Sequence, residues 1–296
     1  MNIERNVLSG VNSAIAVIFI WSTWLVVSRV GVQSNLTIFD LAAIRYGVSS
    51  IIALPFVLYY KPWKTLTLRK LIVLTLLLGP LYVFCVFAGF VYAPVAHGGI
   101  FLNGSLPAIT LVMGLIIYKQ KLSFNQAFGL GLIVLACVFA LLDLSAVVNF
   151  YTWRGDLLFF LSAIFFSGYL LVARNWNLSL IEILFCSSVI NCIIYLPIWF
   201  LFLPKGALDV TSNQLALQIF YQGIIPNVVG LLLVANAAKN IGSAATAAFL
   251  AAVPSLSSLL GVVFLQEVLG ILGWLSVILI TPGILMVAFS QKNVES

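Results

Sequence analysis

The chain is 296 residues long, with 63% hydrophobic residues, 7% charged residues and a formal net charge of +6. A soluble domain has roughly 45–50% apolar and about 25% charged residues, so this composition excludes a soluble globular protein and a disordered chain. The basic residues are scattered along the sequence, which argues against a nucleic-acid partner. The composition favours an all-α polytopic membrane protein whose outer surface contacts the lipid bilayer.

Ten apolar runs are long enough to cross a membrane as helices, which takes about 20 residues each. The predicted spans are residues 11–31, 38–60, 71–92, 95–117, 126–143, 155–174, 181–203, 215–236, 241–265 and 270–290. The breaks between them are too short to hold a soluble domain. The first run is too long for the core of a signal peptide, so we expect it to remain in the mature protein.

The lysines and arginines predict the orientation of these spans, because both residues are enriched on the cytoplasmic side of a membrane. If the N-terminus is cytoplasmic, ten of the fourteen lie on that side, three lie on the other, and Arg45 lies within a span. Both termini are therefore predicted to be cytoplasmic. The four cysteines lie in apolar runs without metal-ligand spacing, so we expect neither a disulfide framework nor a metal site.

The two halves of the sequence resemble each other. Residues 35–40 (NLTIFD) recur 142 positions later as residues 177–182 (NLSLIE), and Arg29 corresponds to Arg174 at a shift of 145. We expect a first repeat over residues 1–146 and a second over residues 147–296, with five spans each. Because five is odd, the second repeat enters the membrane from the opposite face. The sequence therefore predicts two inverted five-helix repeats enclosing a central cavity, an architecture typical of transporters.

Four short elements carry a family resemblance: residues 21–24 (WSTW), residues 41–46 (LAAIRY), residues 92–97 (YAPVAH) with the following Leu106-Pro107, and residues 264–267 (FLQE). Together with the ten spans and the repeat, they make the chain resemble the drug/metabolite transporter superfamily, specifically its EamA-type ten-helix permeases such as the YddG-like amino-acid exporters. Gln120 stands where the family usually has Glu in the first copy. The resemblance implies a cavity lined by the first, third, fourth, sixth, eighth and ninth spans, with the fifth and tenth as outer supports.

Aromatic, amide and imidazole side chains inside the predicted cavity spans are the candidates for substrate binding. Trp21 and Trp24 share a helix face and lie too deep to be interfacial anchors, so their rings either line a substrate site or pack against neighbouring helices. His97 opens the fourth span, where it either contacts substrate or caps the span at the water interface. The candidates are Trp21, Trp24, Tyr82, His97, Asn103, Tyr169 and Asn227.

Arg45 is an ionisable residue within a span, which marks it for attention because such residues are costly in a bilayer. It either binds a substrate carboxylate or phosphate, or anchors its helix by snorkelling outward or pairing with Asp40. We favour the anchor at this point, because the resemblance does not place the second span at the cavity.

The sequence predicts a secondary transporter rather than an enzyme. It has no P-loop, a single histidine and no acid at the predicted midplane, so the machinery of an ATP-driven pump or an intramembrane hydrolase is missing, and no cofactor is expected. The favoured function is export of amino acids or similar small polar metabolites across a bacterial inner membrane by a monomer. The alternatives are transport of phosphorylated or nucleotide-linked metabolites, and lipid flipping.

Overall fold

The computed structural model describes residues 2–119, 122–146, 151–206 and 210–290, and every regular element in these ranges is helical. Gln120 lies outside the described residues, and the predicted repeat boundary after residue 146 borders one of the gaps. Ten helical spans in the described ranges are long and apolar enough to cross a membrane, as predicted. We number them span 1 to span 10: Asn6–Gln33, Ile38–Tyr60, Leu68–Tyr92, Val95–Ile117, Phe124–Leu142, Thr152–Asn175, Leu180–Phe202, Ser212–Ile241, Ala245–Leu265 and Ile271–Phe289.

Five of the spans are interrupted helices. Spans 3 and 9 each consist of two α-helices, Leu68–Leu77 with Pro80–Tyr92 and Ser243–Leu250 with Val253–Leu265. Spans 4, 7 and 8 contain π-helical stretches at Gly98–Gly104, Phe185–Ile190 and Ile219–Gly230. Proline accounts for several of these breaks, because it lacks the N–H that an α-helix needs. The π-helical stretches have wider turns than an α-helix, and such stretches are frequent at functional sites.

The repeated sequence motif forms the same local structure in both halves. Thr37 caps span 2, and its N–H donates to Asp40 Oδ2 over 3.0 Å while the Asp40 N–H donates back to Thr37 Oγ1 over 3.0 Å. Ser179 and Glu182 form the equivalent capping box at the start of span 7. Each box satisfies two backbone donors that a helix leaves unpaired at its N-terminus. The sequence repeat is therefore also a structural repeat.

The packing of the spans follows the same two-repeat layout. Span 3 packs on span 6 as span 8 packs on span 1, and span 4 packs on span 6 as span 9 packs on span 1. Spans 2 and 7 pack on each other, and so do spans 5 and 10. When each span is exchanged for its counterpart in the other repeat, the contact of spans 3 and 6 becomes that of spans 8 and 1, and the contact of spans 4 and 6 becomes that of spans 9 and 1. The contacts between spans 2 and 7 and between spans 5 and 10 stay the same. Because each copy crosses five times, the copies run through the membrane in opposite directions.

The two ends of the bundle differ. We call the end that carries Asn2 the N-terminal side and the opposite end the far side. Spans 4 and 9 pack together in their far halves, Val95–Gly104 against Val253–Leu265. Their N-terminal-side halves, Leu106–Tyr118 and Ser243–Leu250, make no comparable contact within the described ranges. Spans 4 and 9 are therefore packed together on the far side and lie apart on the N-terminal side.

Candidate functional site

A central cavity lies between the two repeats. Its space free of protein atoms amounts to about 880 Å³, which includes open solvent at its mouth. It reaches from mid-span to within about a turn of the N-terminal-side end of span 7, at Ile183. Its lining comprises Trp21, Trp24, Arg45, Ser49, Leu78, Tyr82, Leu102, Asn103, Leu106, Phe166, Tyr169, Ile183, Ser187, Ser188, Pro226, Asn227 and Leu231.

Six of the seven candidate residues from the sequence line this one cavity. They are Trp21, Trp24, Tyr82, Asn103, Tyr169 and Asn227. His97 does not line it. Its ring is buried, with 2% of its surface exposed, and lies beside the carboxylate of Asp156. His97 therefore does not cap span 4 at a water interface, and it makes no contribution to the cavity wall.

The set of spans around the cavity differs from the expectation drawn from the resemblance. Spans 2 and 7 supply lining residues, whereas span 9 supplies none among the described residues. The far half of span 9 packs instead on spans 1 and 4, where the Ser22 hydroxyl of span 1 donates to the carbonyl of Val253 over 3.3 Å. Spans 2 and 7, which pack on each other, supply Arg45, Ser49, Ile183, Ser187 and Ser188 to the lining.

Positions that correspond in the two repeats meet in the cavity. The shift of 145 that aligns the first spans places Trp21 on Phe166 and Trp24 on Tyr169, and all four side chains are lining residues. The shift of 142 likewise places Arg45 on Ser187, two residues that also line the cavity. Sequence reasoning missed Phe166 and Ser187. Carrying each candidate across the repeat is the signal that finds them.

The π-helical stretches bring polar groups to the cavity. Asn103, Ser187, Ser188 and Asn227 all lie in these stretches. The amide of Asn227 donates from Nδ2 to the carbonyl of Gln222, five residues earlier, over 2.7 Å. This bond satisfies a carbonyl in a wide turn, as backbone inside a membrane requires. Since its amide is partly engaged in this way, Asn227 stiffens span 8 as well as lining the cavity.

Arg45 is not the anchor that the sequence favoured. Its guanidinium lines the cavity, with Cζ 5.5 Å from the centre of the Trp24 ring. Asp40, the expected partner, is instead bonded to its capping residue, to the indole N–H of Trp199 over 3.0 Å and to the N–H of Gly206 over 2.7 Å. Span 2 thus places the cation of Arg45 at the cavity. The buried carboxylate of Asp40, on the same span, is hydrogen-bonded to other residues.

A buried polar network joins spans 1 and 8 on the far side of the cavity. The indole N–H of Trp24 donates to Gln222 Oε1 over 2.8 Å, and the Gln222 amide donates to Ser28 Oγ over 3.1 Å and to Gln218 Oε1 over 3.0 Å. Gln218 donates in turn to the carbonyl of Val27 over 2.9 Å. These bonds fix the orientation of the Trp24 ring, which supports the guanidinium of Arg45.

Two buried pairs of ionisable side chains close the far side, and each joins one repeat to the other. His97 Nδ1 lies 2.7 Å from Asp156 Oδ1, and Arg29 Nε lies 3.5 Å from Glu267 Oε1. Glu267 also accepts the N–H of Val95 over 2.9 Å. Burial raises the pKa of the Glu267 carboxyl above its ordinary value, although the Val95 N–H, Arg29 and His97 counteract the shift. We define these two pairs as the far-side layer.

The far-side layer revises the interpretation of the charged residues. Arg29 counts among the Lys and Arg residues that mark topology in the sequence, yet it is 4% exposed, and Asp156 is likewise 4% exposed. Within the described ranges, no three His, Cys, Asp or Glu side chains are grouped as a metal site would need. The four residues of the far-side layer join spans 1, 4, 6 and 9.

Comparison with known proteins is consistent with this architecture. The model of the EamA-like transporter family matches the chain twice, over residues 8–142 and 153–289. A solved crystal structure superimposes with a TM-score of 0.60 at 18% sequence identity, covering 97% of this chain and 99% of that chain, which supports the fold alone. No curated protein sequence matches the chain.

Proposed function

The chain belongs to the EamA-like transporter family, and from that premise we propose that it is an alternating-access carrier for amino acids or similar small polar metabolites. Family membership makes it a multi-pass membrane transporter of small molecules. Members of the family are transporters, and we propose that this chain catalyses no chemical reaction and uses no cofactor.

The observation that carries the substrate proposal is the mixed lining of the cavity. Trp21, Trp24 and Tyr82 offer broad aromatic surface, while Asn103 offers an amide and Arg45 a single cation. A few polar groups among apolar walls suit a small solute with one charged end and an apolar body. A phosphorylated or nucleotide-linked metabolite calls for several cations, and Arg45 is the one charged residue among the lining residues described.

The difference between the two ends supports alternating access. Spans 4 and 9 lie apart on the N-terminal side, whereas the far-side layer joins the two repeats on the far side. Exchange of the two similar repeats would reverse this arrangement and expose the cavity to the far side. The distribution of Lys and Arg favours a cytoplasmic N-terminal side, and we propose export across a bacterial inner membrane.

One chain holds the whole cavity, which supports a monomer as the working unit. The family model matches the chain in two separate segments, ending at residue 142 and beginning at residue 153. These limits support the proposed division into repeats at residues 1–146 and 147–296.

Flux into proteoliposomes tests the proposal. Purified protein should transport labelled amino acids or related small metabolites, and Trp21→Ala should slow this transport because it removes an aromatic wall of the cavity. Trp274→Ala on span 10 is the matched control, since Trp274 is 38% exposed and does not line the cavity. Absence of flux for every small polar metabolite in the screen would reject the proposal.

A further inference from the structure

The cavity contains two buried hydrogen-bond donors without acceptors. Arg45 Nη1 and Asn103 Nδ2 are both shielded from solvent and have no hydrogen-bond partner within the described part of the chain. Both residues line the same cavity. A guanidinium has no acceptor atom, and the amide nitrogen of asparagine only donates. A buried donor left unpaired costs about 1–3 kcal/mol, so these atoms indicate where the acceptor atoms of a ligand bind.

The charge of the cavity is also unbalanced. Arg45 is the only charged residue among the described lining residues, and its Cζ lies 5.5 Å from the centre of the Trp24 ring. Asp40 on the same span is occupied by Trp199 and Gly206. A desolvated cation is stable beside a ligand of opposite charge. A planar carboxylate, which accepts two parallel N–H bonds from a guanidinium, fits these donors.

The lining offers no carboxylate as a counterpart for a ligand ammonium within the described part of the chain. In an α-amino acid the ammonium group is bonded to the carbon next to the carboxylate, so it would lie close to the like charge of Arg45. No Asp or Glu lines the cavity among the described residues. Much of the rest of the wall is apolar, including the rings of Trp21, Tyr82 and Phe166. An apolar body fits this wall better than a second charge does.

We propose that the cavity selects monocarboxylates with an aromatic or branched apolar body and binds them more tightly than the corresponding zwitterionic amino acids. Arg45 holds the carboxylate, Asn103 donates a further hydrogen bond, and the Trp24 ring orients the guanidinium. This inference rests on the proposed transport function and narrows its substrate class.

Three probes with the same phenyl group separate the charges of the ligand. Phenyllactate carries a carboxylate and a hydroxyl, phenylalanine carries a carboxylate and an ammonium, and phenethylamine carries an ammonium alone. Binding to purified full-length protein in detergent is measured by isothermal titration, which avoids passive leakage of weak acids through vesicles. We expect phenyllactate to bind about 10-fold more tightly than phenylalanine, a difference of about 1.4 kcal/mol, and phenethylamine to bind most weakly.

Two variants assign the preference to the cation. Arg45→Gln should reduce the affinity for phenyllactate by at least about 10-fold and abolish the preference over phenethylamine. Arg45→Lys should retain part of that preference, because it keeps the charge but not the paired donors. Arg154→Gln is the control, since Arg154 stacks on Tyr151 and does not line the cavity. Thermal unfolding of each variant confirms that it remains folded.

The outcomes distinguish this inference from the transport function. Tighter binding of phenylalanine than of phenyllactate would overturn the inference and leave the transport function intact. Unchanged phenyllactate binding in a folded Arg45→Gln variant would overturn it as well. If none of the three probes binds the natural sequence, the inference fails, while the flux screen with other metabolites still decides whether the protein is a carrier.

Discussion

Replacing Asp156 by alanine should open the far side of the cavity. Asp156 belongs to the second repeat and His97 to the first, and their side chains meet at 2.7 Å in a buried position. The proposed cycle requires this contact to separate whenever the far side opens. Removing it therefore destabilises the closed form relative to the open one.

The size of the effect follows from the type of bond. A hydrogen bond to a charged group contributes about 1.5–3 kcal/mol, which corresponds to a change of roughly 10- to 150-fold in the ratio of closed to open protein. Asp156→Asn should have a smaller effect, because an amide oxygen still accepts a hydrogen bond from the imidazole. Exposure of the cavity from the far side is thus expected to increase from the natural sequence to Asp156→Asn, and further to Asp156→Ala.

The assay is the rate at which a membrane-impermeant maleimide, added on the far side of oriented vesicles, modifies a cysteine in the cavity. Ser187→Cys supplies the reporter, because Ser187 lines the cavity and is half-buried. The native cysteines are first replaced by alanine: Cys85, Cys137, Cys186 and Cys192. We expect the modification rate to rise in the same order as the loss of the hydrogen bond.

Asp143→Ala is the matched control for this experiment. Asp143 is 3% exposed and also lies on the far side, where it accepts the N–H of Gly270 over 2.8 Å at the start of span 10. It joins the supporting spans 5 and 10 and does not belong to the far-side layer. Equal rates for Asp156→Ala and the natural sequence, or an equal rise for Asp143→Ala, would refute the assignment of the pair as a far-side closure.

Other expectations concern stability and pH. Gln222→Ala removes three buried hydrogen bonds, each contributing about 0.6–1 kcal/mol, so thermal unfolding in detergent should show a loss of about 2–3 kcal/mol, whereas exposed Gln33→Ala should be close to neutral. Gly89→Ala places a methyl group 2.5 Å from a buried phenyl ring of span 6 and should cost about 1–3 kcal/mol, while Gly131→Ala meets open space and should be neutral or stabilising; equal melting temperatures for these two variants would contradict the packing. Because burial raises the pKa of Glu267, the folded protein holds this proton more tightly than the unfolded chain. The contribution of Glu267 to the free energy of unfolding should therefore fall as pH rises from about 4.3 to the raised pKa. A Glu267→Gln variant should lack that slope in melting curves recorded from acidic to neutral pH.

The local features of the fold were predictable from the sequence. Each span depends on the hydropathy of about 20 neighbouring residues, and the breaks follow from proline and glycine within a few positions. The capping boxes at Thr37 and Ser179 need side chains only three residues apart. The repeat was readable for the same reason, since corresponding positions keep similar local chemistry.

The aromatic and amide residues of the cavity could also be predicted from the sequence, because deep polar or aromatic side chains on the expected cavity spans have few other roles. Arg45 was misjudged, since its depth in span 2 is local information but the direction in which that helix face points is not. The packing of span 2 on spans 7 and 8 decides that direction, and it joins residues more than a hundred positions apart.

Sequence by itself therefore determined the number of spans, the repeat and six of the residues that line the cavity, because these depend on short-range periodicity and composition. Only the tertiary structure decided which charges are solvated and which are buried in pairs. Arg29 and Glu267 are separated by most of the chain, and their ion pair exists because spans 1 and 9 pack together on the far side. The energy of a charge depends on what surrounds it in space, and the surroundings of these groups are supplied by the opposite repeat.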